Sequence, residues 1–348
     1  MASRPRGVLG WDIGGAHVKV ACLAADGRLR EVAQLPCPLW QGLDRLEAVL
    51  LDLDRRYDLS AYRHAVTMTG ELVDLFPDRR RGVRALLRTF IGHAGRTDVL
   101  VYTMDAGLRT VAIARRRLEA VASANWHATA AMVARRCSEA VLVDIGSTTT
   151  DIVPVRRGRV DALGGSDGER LRQQELVYTG VVRTPVMAVA RQVPFGGEWQ
   201  GVAAEWFANM GDVYRLTGQL PSRHYQSATA DGRGLSPADC ARRLARMLGR
   251  DAGEATAAEW QRLARHLATE QLHQIRTALE RVLSRRRSGD AVTVVGAGCG
   301  RFVARELARR LQCPYTEWAT LMGVPARWRE MATVCAPALA VARLAADR

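Results

Sequence analysis

The segment VLVDIGSTTTDIVPV (residues 141–155) decides the fold, because its pattern predicts two β-strands joined by a polar turn. Apolar residues dominate both flanks, whereas Gly146 is followed by the four hydroxyl residues Ser147–Thr150. A turn that only connects strands needs no such run of hydroxyl groups. Glycine lets a ligand approach the backbone N–H groups closely, and hydroxyl groups add further donors. The segment therefore predicts a β-hairpin that binds phosphate.

A shorter version of this pattern opens the chain. In GWDIGGAHVKVA (10–21), two apolar strands flank the turn Gly14–Gly15, and Asp12 stands where Asp144 stands in the later segment. A third strand near residues 31–35 would complete a β-meander. The recurrence predicts that the chain consists of two duplicated halves.

A third glycine segment, Gly296–Gly300, follows a predicted strand at 291–295 and precedes a predicted helix. Such a turn offers backbone N–H groups at a helix N-terminus to a phosphate or a nucleotide base, or it only allows close packing. Each of the three segments alone is weak evidence. Together, in this order and about 130 and 150 residues apart, they predict a phosphate site.

Lys19 is the only lysine in the chain, although Lys and Arg together number 50. A composition this biased towards arginine indicates that lysine persists where a compact ammonium group is needed and a planar guanidinium group would not fit. Lys19 follows the first predicted turn. We expect it to reach the phosphate groups.

The bulk composition predicts a soluble, two-domain protein of the cytoplasm. The chain has 348 residues, of which 48% are hydrophobic and 25% are charged. No apolar run is long enough to span a bilayer, and the basic stretch Met1–Arg6 leads directly into a strand without a secretory signal. The seven cysteines are dispersed and form no CxxC pair, which argues against a disulfide framework and a zinc site.

The net charge of +14 raises the possibility of nucleic-acid binding. The arginines, however, are spread over many predicted helices, with no interleaved aromatic platform. An anionic small substrate explains the charge as well. We therefore expect small-molecule partners, no nucleic acid and no membrane, and we leave open an oligomer in the form of a homodimer.

The remaining pattern predicts alternating helices and strands. Residues 161–185 are polar and glycine-rich, which predicts a long functional loop or small insertion. Ser123 or Asn125 is predicted to cap a helix that runs to Arg136. Further predicted elements are helices near 43–53 and 80–91, strands at 64–68 and 98–102, mostly helices over 198–286, and a C-terminal helix over about 330–346.

The order of hairpin, hairpin and glycine turn resembles the superfamily of actin, sugar kinases and heat-shock ATPases, with its phosphate-1, phosphate-2 and adenosine motifs. More particular stretches resemble the hydantoinase/oxoprolinase-related proteins of tetrahydromethanopterin-linked one-carbon transfer. The resemblance covers nearly the whole chain. Its motifs are GWDIGGAHVKVA (10–21), MTGELVD (68–74), SANWHATA (123–130), VLVDIGSTTTDIVPV (141–155), ELVYTGVVRTPVMA (175–188) and DVYRLTG (212–218).

The resemblance implies the fold class: α/β, with two ribonuclease-H-like (actin-like ATPase) domains and a cleft between them. The expected domains are 1–138, with the first hairpin, and 139–328, with the second hairpin, a helical insertion and the glycine turn. Residues 329–348 are expected to form a helix that packs back on the N-terminal domain.

The resemblance also implies a transferase reaction of methanofuran (methylofuran) biosynthesis. A (5-aminomethyl-furan-3-yl)methyl diphosphate would be joined to the phenol oxygen of γ-glutamyltyramine, and diphosphate would leave. Asp12 and Asp144 would hold Mg²⁺, and Lys19 would stabilise the developing charge. The residues expected to bind the phosphate groups or a nucleotide are Gly14, Gly15, Gly146, Ser147, Thr148, Thr149, Thr150, Gly296, Gly298 and Gly300.

A base near the phenol would remove its proton, and the candidates are Glu71 and Asp151. Glu71 could instead cap a helix, and Asp151 could instead close the second hairpin through backbone N–H groups. Tyr178, Thr179 and Arg183 are expected to bind the second substrate, unless their loop is purely structural.

Two other functions fit the same motifs. An ATP-dependent kinase acting on a furan or pterin precursor would use the hairpins for ATP and the turn at 296–300 for adenosine. A non-catalytic assembly factor would bind ATP or ADP and turn nothing over.

Overall fold

The computed structural model describes residues 7–94, 98–286 and 291–348. The basic stretch Met1–Arg6, on which the prediction about a secretory signal depends, lies outside these residues. The chain forms two compact units. Unit 1 comprises Met1–Ala140, Val153–Glu169 and Glu317–Arg348, and unit 2 comprises Val141–Ile152 and Arg170–Thr316.

The strands, in chain order, are β1 Val8–Ile13, β2 His17–Leu23, β3 Leu29–Pro36, β4 Arg63–Met68, β5 Val99–Thr103, β6 Gly107–Thr110, β7 Glu139–Ile145, β8 Thr150–Arg156, β9 Arg159–Val160, β10 Leu176–Val177, β11 Gln192–Phe195, β12 Glu198–Gly201, β13 Thr293–Ala297 and β14 Tyr315–Glu317.

The α-helices are α1 Asp44–Tyr57, α2 Arg79–Ala94, α3 Val111–Ala114, α4 Leu118–Val121, α5 Asn125–Ala134, α6 Asp167–Gln173, α7 Met210–Leu216, α8 Pro237–Met247, α9 Ala257–Leu283, α10 Arg301–Arg310, α11 Trp318–Leu321, α12 Ala326–Val334 and α13 Ala336–Ala346.

Unit 1 contains a sheet in the order β3-β2-β1-β4-β5-β6. Strands β1, β2 and β3 form the predicted antiparallel meander, and β1 pairs in parallel with β4, which pairs in parallel with β5. Alternate residues of β1 face opposite sides of the sheet. On one side Trp11 packs edge-on against Phe90 of α2, with ring centroids 5.1 Å apart.

Helix α13 covers the other side of this sheet. A Cβ atom on Gly10 would lie 2.1 Å from the carbonyl oxygen of Ala338, so only glycine allows this approach. The expected single C-terminal helix is interrupted at Cys335, which ends α12 and precedes α13. Pro337 lies in the first turn of α13, where its missing N–H costs no hydrogen bond.

A second sheet has the order β10-β8-β7-β13-β14. The path β10-β8-β7 runs against chain order, as β3-β2-β1 does in unit 1, and β13 and β14 follow beyond β7. Strand β9 lies off this path and pairs with β8. The same order of strands in both sheets confirms the predicted duplication and the fold class of two ribonuclease-H-like α/β domains.

One expectation about local structure was wrong, and two others are made more specific. The polar segment 161–185 contains α6 and β10, so it is the small insertion and not the long loop. The region 198–286 is mostly helical, with α7, α8 and α9, but a hairpin of β11 and β12 around Gly196–Gly197, both of which have positive φ, precedes these helices. Neither Ser123 nor Asn125 caps α5: the N-cap is Ala124, without a side-chain hydrogen bond.

No helix in the described part of the chain has the length and hydrophobicity needed to cross a membrane.

Candidate functional site

The first hairpin presents a carboxylate and an ammonium group side by side. The N–H of Gly14 donates to the carbonyl of His17 at 2.9 Å and closes the turn. This bond sets the register in which Asp12 lies opposite Lys19. The Lys19 Nζ atom is 3.4 Å from Asp12 Oδ2, and their side chains are 23% and 3% exposed. The ammonium group is therefore partly accessible, whereas the carboxylate is buried beneath it.

The second hairpin repeats this turn in unit 2. The N–H of Gly146 donates to the carbonyl of Thr149 at 2.9 Å, as Gly14 does to His17. Residues Gly146 to Thr149 and Asp144 are half-buried, whereas Thr150 is buried. The hydroxyl oxygens of Ser147 and Thr148 are 3.4 Å apart. Unit 2 thus presents a partly accessible turn with several hydroxyl groups beside a carboxylate.

The loop Gly180–Arg183 packs against this turn and forms hydrogen bonds with its backbone. The N–H of Val181 donates to Gly146 O at 3.1 Å, and the N–H of Arg183 donates to Ser147 O at 2.8 Å. A Cβ atom on Gly180 would lie 2.5 Å from the backbone nitrogen of Thr148. The Nη1 atom of Arg183 is 3.5 Å from Thr148 Oγ1. The loop therefore fixes the turn and places a guanidinium group next to its hydroxyl groups.

The glycine turn 296–300 lies against the base of the same hairpin. A Cβ atom on Gly298, whose φ is +79°, would lie 2.1 Å from Ile145 O and 2.6 Å from Asp144 Oδ1. The N–H of Gly300 donates to Ile145 O at 2.8 Å. A Cβ atom on Gly296 would lie 2.3 Å from the hydroxyl oxygen of Tyr315. These contacts give all three glycines a packing role, which was the simpler of the two interpretations.

Glu71 does not lie at an accessible position, contrary to the expectation. It is 1% exposed, and its Oε1 atom accepts hydrogen bonds from the N–H and the hydroxyl of Ser123 at 2.7 and 2.9 Å. Burial raises the pKa of Glu71. Glu71 is a buried carboxyl group with a fixed partner.

Asp151 and Thr179 also have structural partners. Asp151 Oδ1 accepts a hydrogen bond at 2.8 Å from Arg170, whose side chain is 1% exposed, while the Asp151 side chain remains 17% exposed. The hydroxyl of Thr179 accepts a hydrogen bond from Gln271 at 2.7 Å, and Thr179 is 3% exposed. The neighbouring Tyr178 is 66% exposed. Of the three residues expected to bind the second substrate, Tyr178 and Arg183 are accessible and Thr179 is not.

The donor set at Asp144 fits Mg²⁺, which prefers carboxylate and hydroxyl oxygen ligands with several waters. Asp144 is half-buried next to a turn whose Ser147 and Thr148 supply oxygen atoms. Asp12 fits a cation less well, since Lys19 already compensates its charge. The two predicted metal ligands therefore differ: Asp144 is suited to bind Mg²⁺, and Asp12 is less so.

The sequence alone did not single out Gly180 and Arg170. Gly180 stands in the stretch YTGVVR (178–183), and its close approach to Thr148 explains why glycine is needed there. Arg170 lies in α6, in a segment predicted to be a long loop or a small insertion, and no local pattern indicated that it pairs with Asp151.

Comparison with known proteins places the chain among relatives. The sequence profile of the Hydantoinase/oxoprolinase family matches residues 63–348. A relative from Methanocaldococcus jannaschii is 31% identical over 84% of this chain and 86% of its own length. It bears the name (4-{4-[2-(γ-L-glutamylamino)ethyl]phenoxymethyl}furan-2-yl)methanamine synthase. A relative from Methanococcus vannielii with the same name is 34% identical over 34% of this chain and 53% of its own length.

Among solved structures, the nucleotide-free structure of acetone carboxylase is similar in fold, with a TM-score of 0.54 at 11% identity. The similarity covers 95% of this chain and 70% of the acetone carboxylase chain. At this identity the similarity concerns the fold alone. The profile and the Methanocaldococcus jannaschii relative both extend over more than four-fifths of the chain, and the chain therefore belongs to the hydantoinase/oxoprolinase family.

Proposed function

We propose that this chain is a transferase of methanofuran biosynthesis. It joins a (5-aminomethyl-furan-3-yl)methyl diphosphate to the phenol oxygen of γ-glutamyltyramine. The bond between the furfuryl carbon and the diphosphate oxygen breaks, diphosphate leaves with the bonding electrons, and an aryl ether forms. The name of the Methanocaldococcus jannaschii relative contains this phenoxymethyl-furan linkage, which supports the choice of substrates.

The observation that carries the proposal is the second turn, Gly146–Thr149, with Arg183 beside it. Its hydroxyl groups are half-buried, and the Arg183 guanidinium group is 3.5 Å from Thr148 Oγ1. Hydroxyl, N–H and guanidinium groups are the donors that a diphosphate accepts. A diphosphate held here becomes a better leaving group, because these donors stabilise the charge that develops as the bond breaks.

The first turn, Gly14–Gly15, carries a cation of the kind that stabilises a diphosphate leaving group. Lys19 is partly exposed there and contributes a compact positive charge. Asp144 would hold Mg²⁺, which supplies further charge stabilisation for the leaving group. The chain's own donors bind the diphosphate and orient the furfuryl carbon.

The phenol proton needs an acceptor, and we propose Asp151. Of the two predicted bases it is the one with an exposed side-chain fraction, 17%, and it stands on the strand that leaves the second turn. Arg170 orients its carboxylate through a hydrogen bond of 2.8 Å. Tyr178 and Arg183 are the accessible candidates for binding γ-glutamyltyramine, by ring stacking and by pairing with its carboxylates.

The test is a reaction of the purified chain with the furfuryl diphosphate, γ-glutamyltyramine and Mg²⁺, without ATP. We expect release of diphosphate and an equal amount of the aryl ether, measured by a diphosphate assay and mass spectrometry. A parallel reaction contains ATP and the furan alcohol instead of the diphosphate.

Each rival function predicts a different result. Formation of ADP only in the ATP reaction would identify a kinase. Binding of nucleotide without any product in either reaction would identify the non-catalytic assembly factor. A heat-inactivated sample controls for spontaneous loss of diphosphate, since furfuryl carbons ionise readily.

A further inference from the structure

We infer that Glu71 is a positioning residue for the first turn and does not act as a proton acceptor. It anchors the loop that follows β4 to Ser123, and this loop in turn holds Gly14–Gly15 in place. The role in catalysis rests on the proposed function, whereas the role in positioning rests on the contacts of unit 1 alone.

The loop Thr69–Val73, called the bracing loop below, packs directly on the first turn. The N–H of Thr69 donates to Ile13 O at 3.0 Å. A Cβ atom on Gly70 would lie 3.2 Å from the carbonyl oxygens of both Ile13 and Gly14, and one on Gly15 would lie 2.8 Å from Val73 Cγ1. The turn therefore keeps its shape only if the bracing loop stays at this distance.

Glu71 lies in the middle of the bracing loop and ties it to the segment that enters α5. Its Oε1 atom accepts from the N–H of Ser123 at 2.7 Å and from the hydroxyl at 2.9 Å. Ser123 has a φ of 50°, a left-handed conformation that costs free energy for a residue other than glycine. The two hydrogen bonds that Ser123 donates to Glu71 offset the free-energy cost of this conformation.

The backbone of Glu71 is fixed as well. A Cβ atom on Gly82 of α2 would lie 2.6 Å from Glu71 O and 2.8 Å from Glu71 Cβ. Glu71 is thus held by α2 on one side and by Ser123 on the other. Because the bracing loop also contacts the first turn, a shift of Glu71 would displace Gly70 and, through Gly70, the residues Gly14–Gly15.

The chemistry of the side chain argues against proton transfer. Glu71 is 1% exposed, and its Oε2 atom is buried without a hydrogen-bond partner among the described residues. One oxygen atom makes both bonds, and an amide oxygen can accept the same two bonds. Glutamine therefore suffices for positioning, whereas a base requires a carboxylate.

The experiment compares Glu71→Ala and Glu71→Gln in the full chain. The control is Leu53→Ala, a destabilising change in the buried face of α1. Hydrogen exchange followed by mass spectrometry measures peptides that cover residues 12–19. We expect exchange there to rise at least about tenfold in Glu71→Ala, which loses both hydrogen bonds, and to stay unchanged in Glu71→Gln. In Leu53→Ala, exchange at residues 12–19 should rise no more than exchange elsewhere in the core of unit 1.

Affinity for inorganic diphosphate, measured by calorimetry, and turnover are the second readouts. We expect Glu71→Ala to bind diphosphate about tenfold more weakly, while Glu71→Gln keeps both affinity and kcat. Unchanged exchange at residues 12–19 in Glu71→Ala would overturn the inference. So would a Glu71→Gln variant with normal exchange but a kcat lowered about a hundredfold, since that is the loss of a base. If the unmodified chain binds no diphosphate, the proposed function fails, and the exchange measurement still decides the role of Glu71.

Discussion

Lys19 and Asp12 are cross-strand neighbours in the first hairpin, with the ammonium nitrogen 3.4 Å from the carboxylate. Counted from the equivalent turn bond, the position of Lys19 corresponds to Asp151 in the second hairpin, and that of Asp12 to Asp144. The duplicated hairpins are therefore chemically unequal. The first supplies a positive charge, and the second supplies hydroxyl groups and two carboxylates.

Replacing Lys19 tests the first hairpin. We expect Lys19→Ala to lower kcat/KM by about a hundredfold or more, because a charge that stabilises the leaving group is lost. Lys19→Arg should restore only part of the rate, since a planar guanidinium group replaces a compact ammonium group. Steady-state kinetics at saturating Mg²⁺ measure both. Arg55→Ala, at the exposed end of α1, is the control for a general loss of positive charge. Full activity in both Lys19 variants would remove Lys19 from the site.

The second turn depends on a close contact with Gly180. Gly180→Ala would bring a Cβ atom within 2.5 Å of the backbone nitrogen of Thr148 and displace the turn. We expect diphosphate affinity to fall at least about tenfold. Gly201→Ala is a matched control in the same unit, because nothing lies within 4 Å of its added Cβ atom. Calorimetry with inorganic diphosphate measures the difference, and equal affinity in the two variants would show that the turn tolerates the shift.

Much of the site's framework could be predicted from the sequence, because its signals are local. The glycine turns at Gly14 and Gly146, the flanking apolar strands and the recurrence of the pattern all lie within short stretches, and both hairpins form as expected. The hairpin β11–β12 also carried a local signal, the pair Gly196–Gly197 between two strands. This hairpin was not predicted, because the sequence that follows it has a helical pattern.

The roles of individual carboxylates could not be predicted, because their partners are distant in sequence. Glu71 is 52 residues from Ser123, and Asp151 bonds to Arg170, which is 19 residues further along the chain. A glutamate after a strand has the same local pattern whether it faces solvent or the interior. Only the packing of α2 against Glu71 decides between these possibilities.

Asp151 is both the proposed proton acceptor and the partner of a buried arginine. We expect Asp151→Asn to lower kcat about a hundredfold with little change in KM, since the proton acceptor is removed. It should also lower the free energy of unfolding by about 2 kcal/mol, because Arg170 loses a charged partner. Arg170→Gln removes the same ion pair but keeps the carboxylate, so it should retain more activity than Asp151→Asn at a similar loss of stability. An Asp151→Asn variant with unchanged kcat would show that Asp151 only supports the fold.

The role of Asp144 in metal binding predicts a shift in the Mg²⁺ requirement. We expect removal of Mg²⁺ with EDTA to stop diphosphate release and added Mg²⁺ to restore it. Asp144→Asn should raise the half-maximal Mg²⁺ concentration about tenfold or more, because a neutral amide is a weaker ligand for a hard cation. Asp251→Asn, whose carboxylate is 75% exposed, is the control. A Mg²⁺ titration that matches the unmodified chain would reject Asp144 as a ligand.

The buried His64 predicts how the stability of unit 1 depends on pH. The indole N–H of Trp11 donates to His64 Nδ1 at 3.1 Å, so Nδ1 accepts, and Nε2 carries the proton that bonds to Leu59 O at 3.0 Å. A second proton would place two N–H groups face to face. Burial lowers the pKa of His64 to about 4. The neutral ring is therefore the form that the folded chain accommodates.

In the unfolded chain the same imidazole binds a proton near pH 6.5. Stability from His64 is thus fully present above pH 6.5 and is lost as pH falls from 6.5 to about 4, because the unfolded state binds more protons in this window. The loss amounts to about 3 kcal/mol. Urea unfolding at pH 7, 5.5 and 4 measures it against His64→Gln, which keeps one donor and one acceptor but does not titrate there. Parallel pH profiles of the two proteins would mean that His64 has the same pKa in the folded and the unfolded chain.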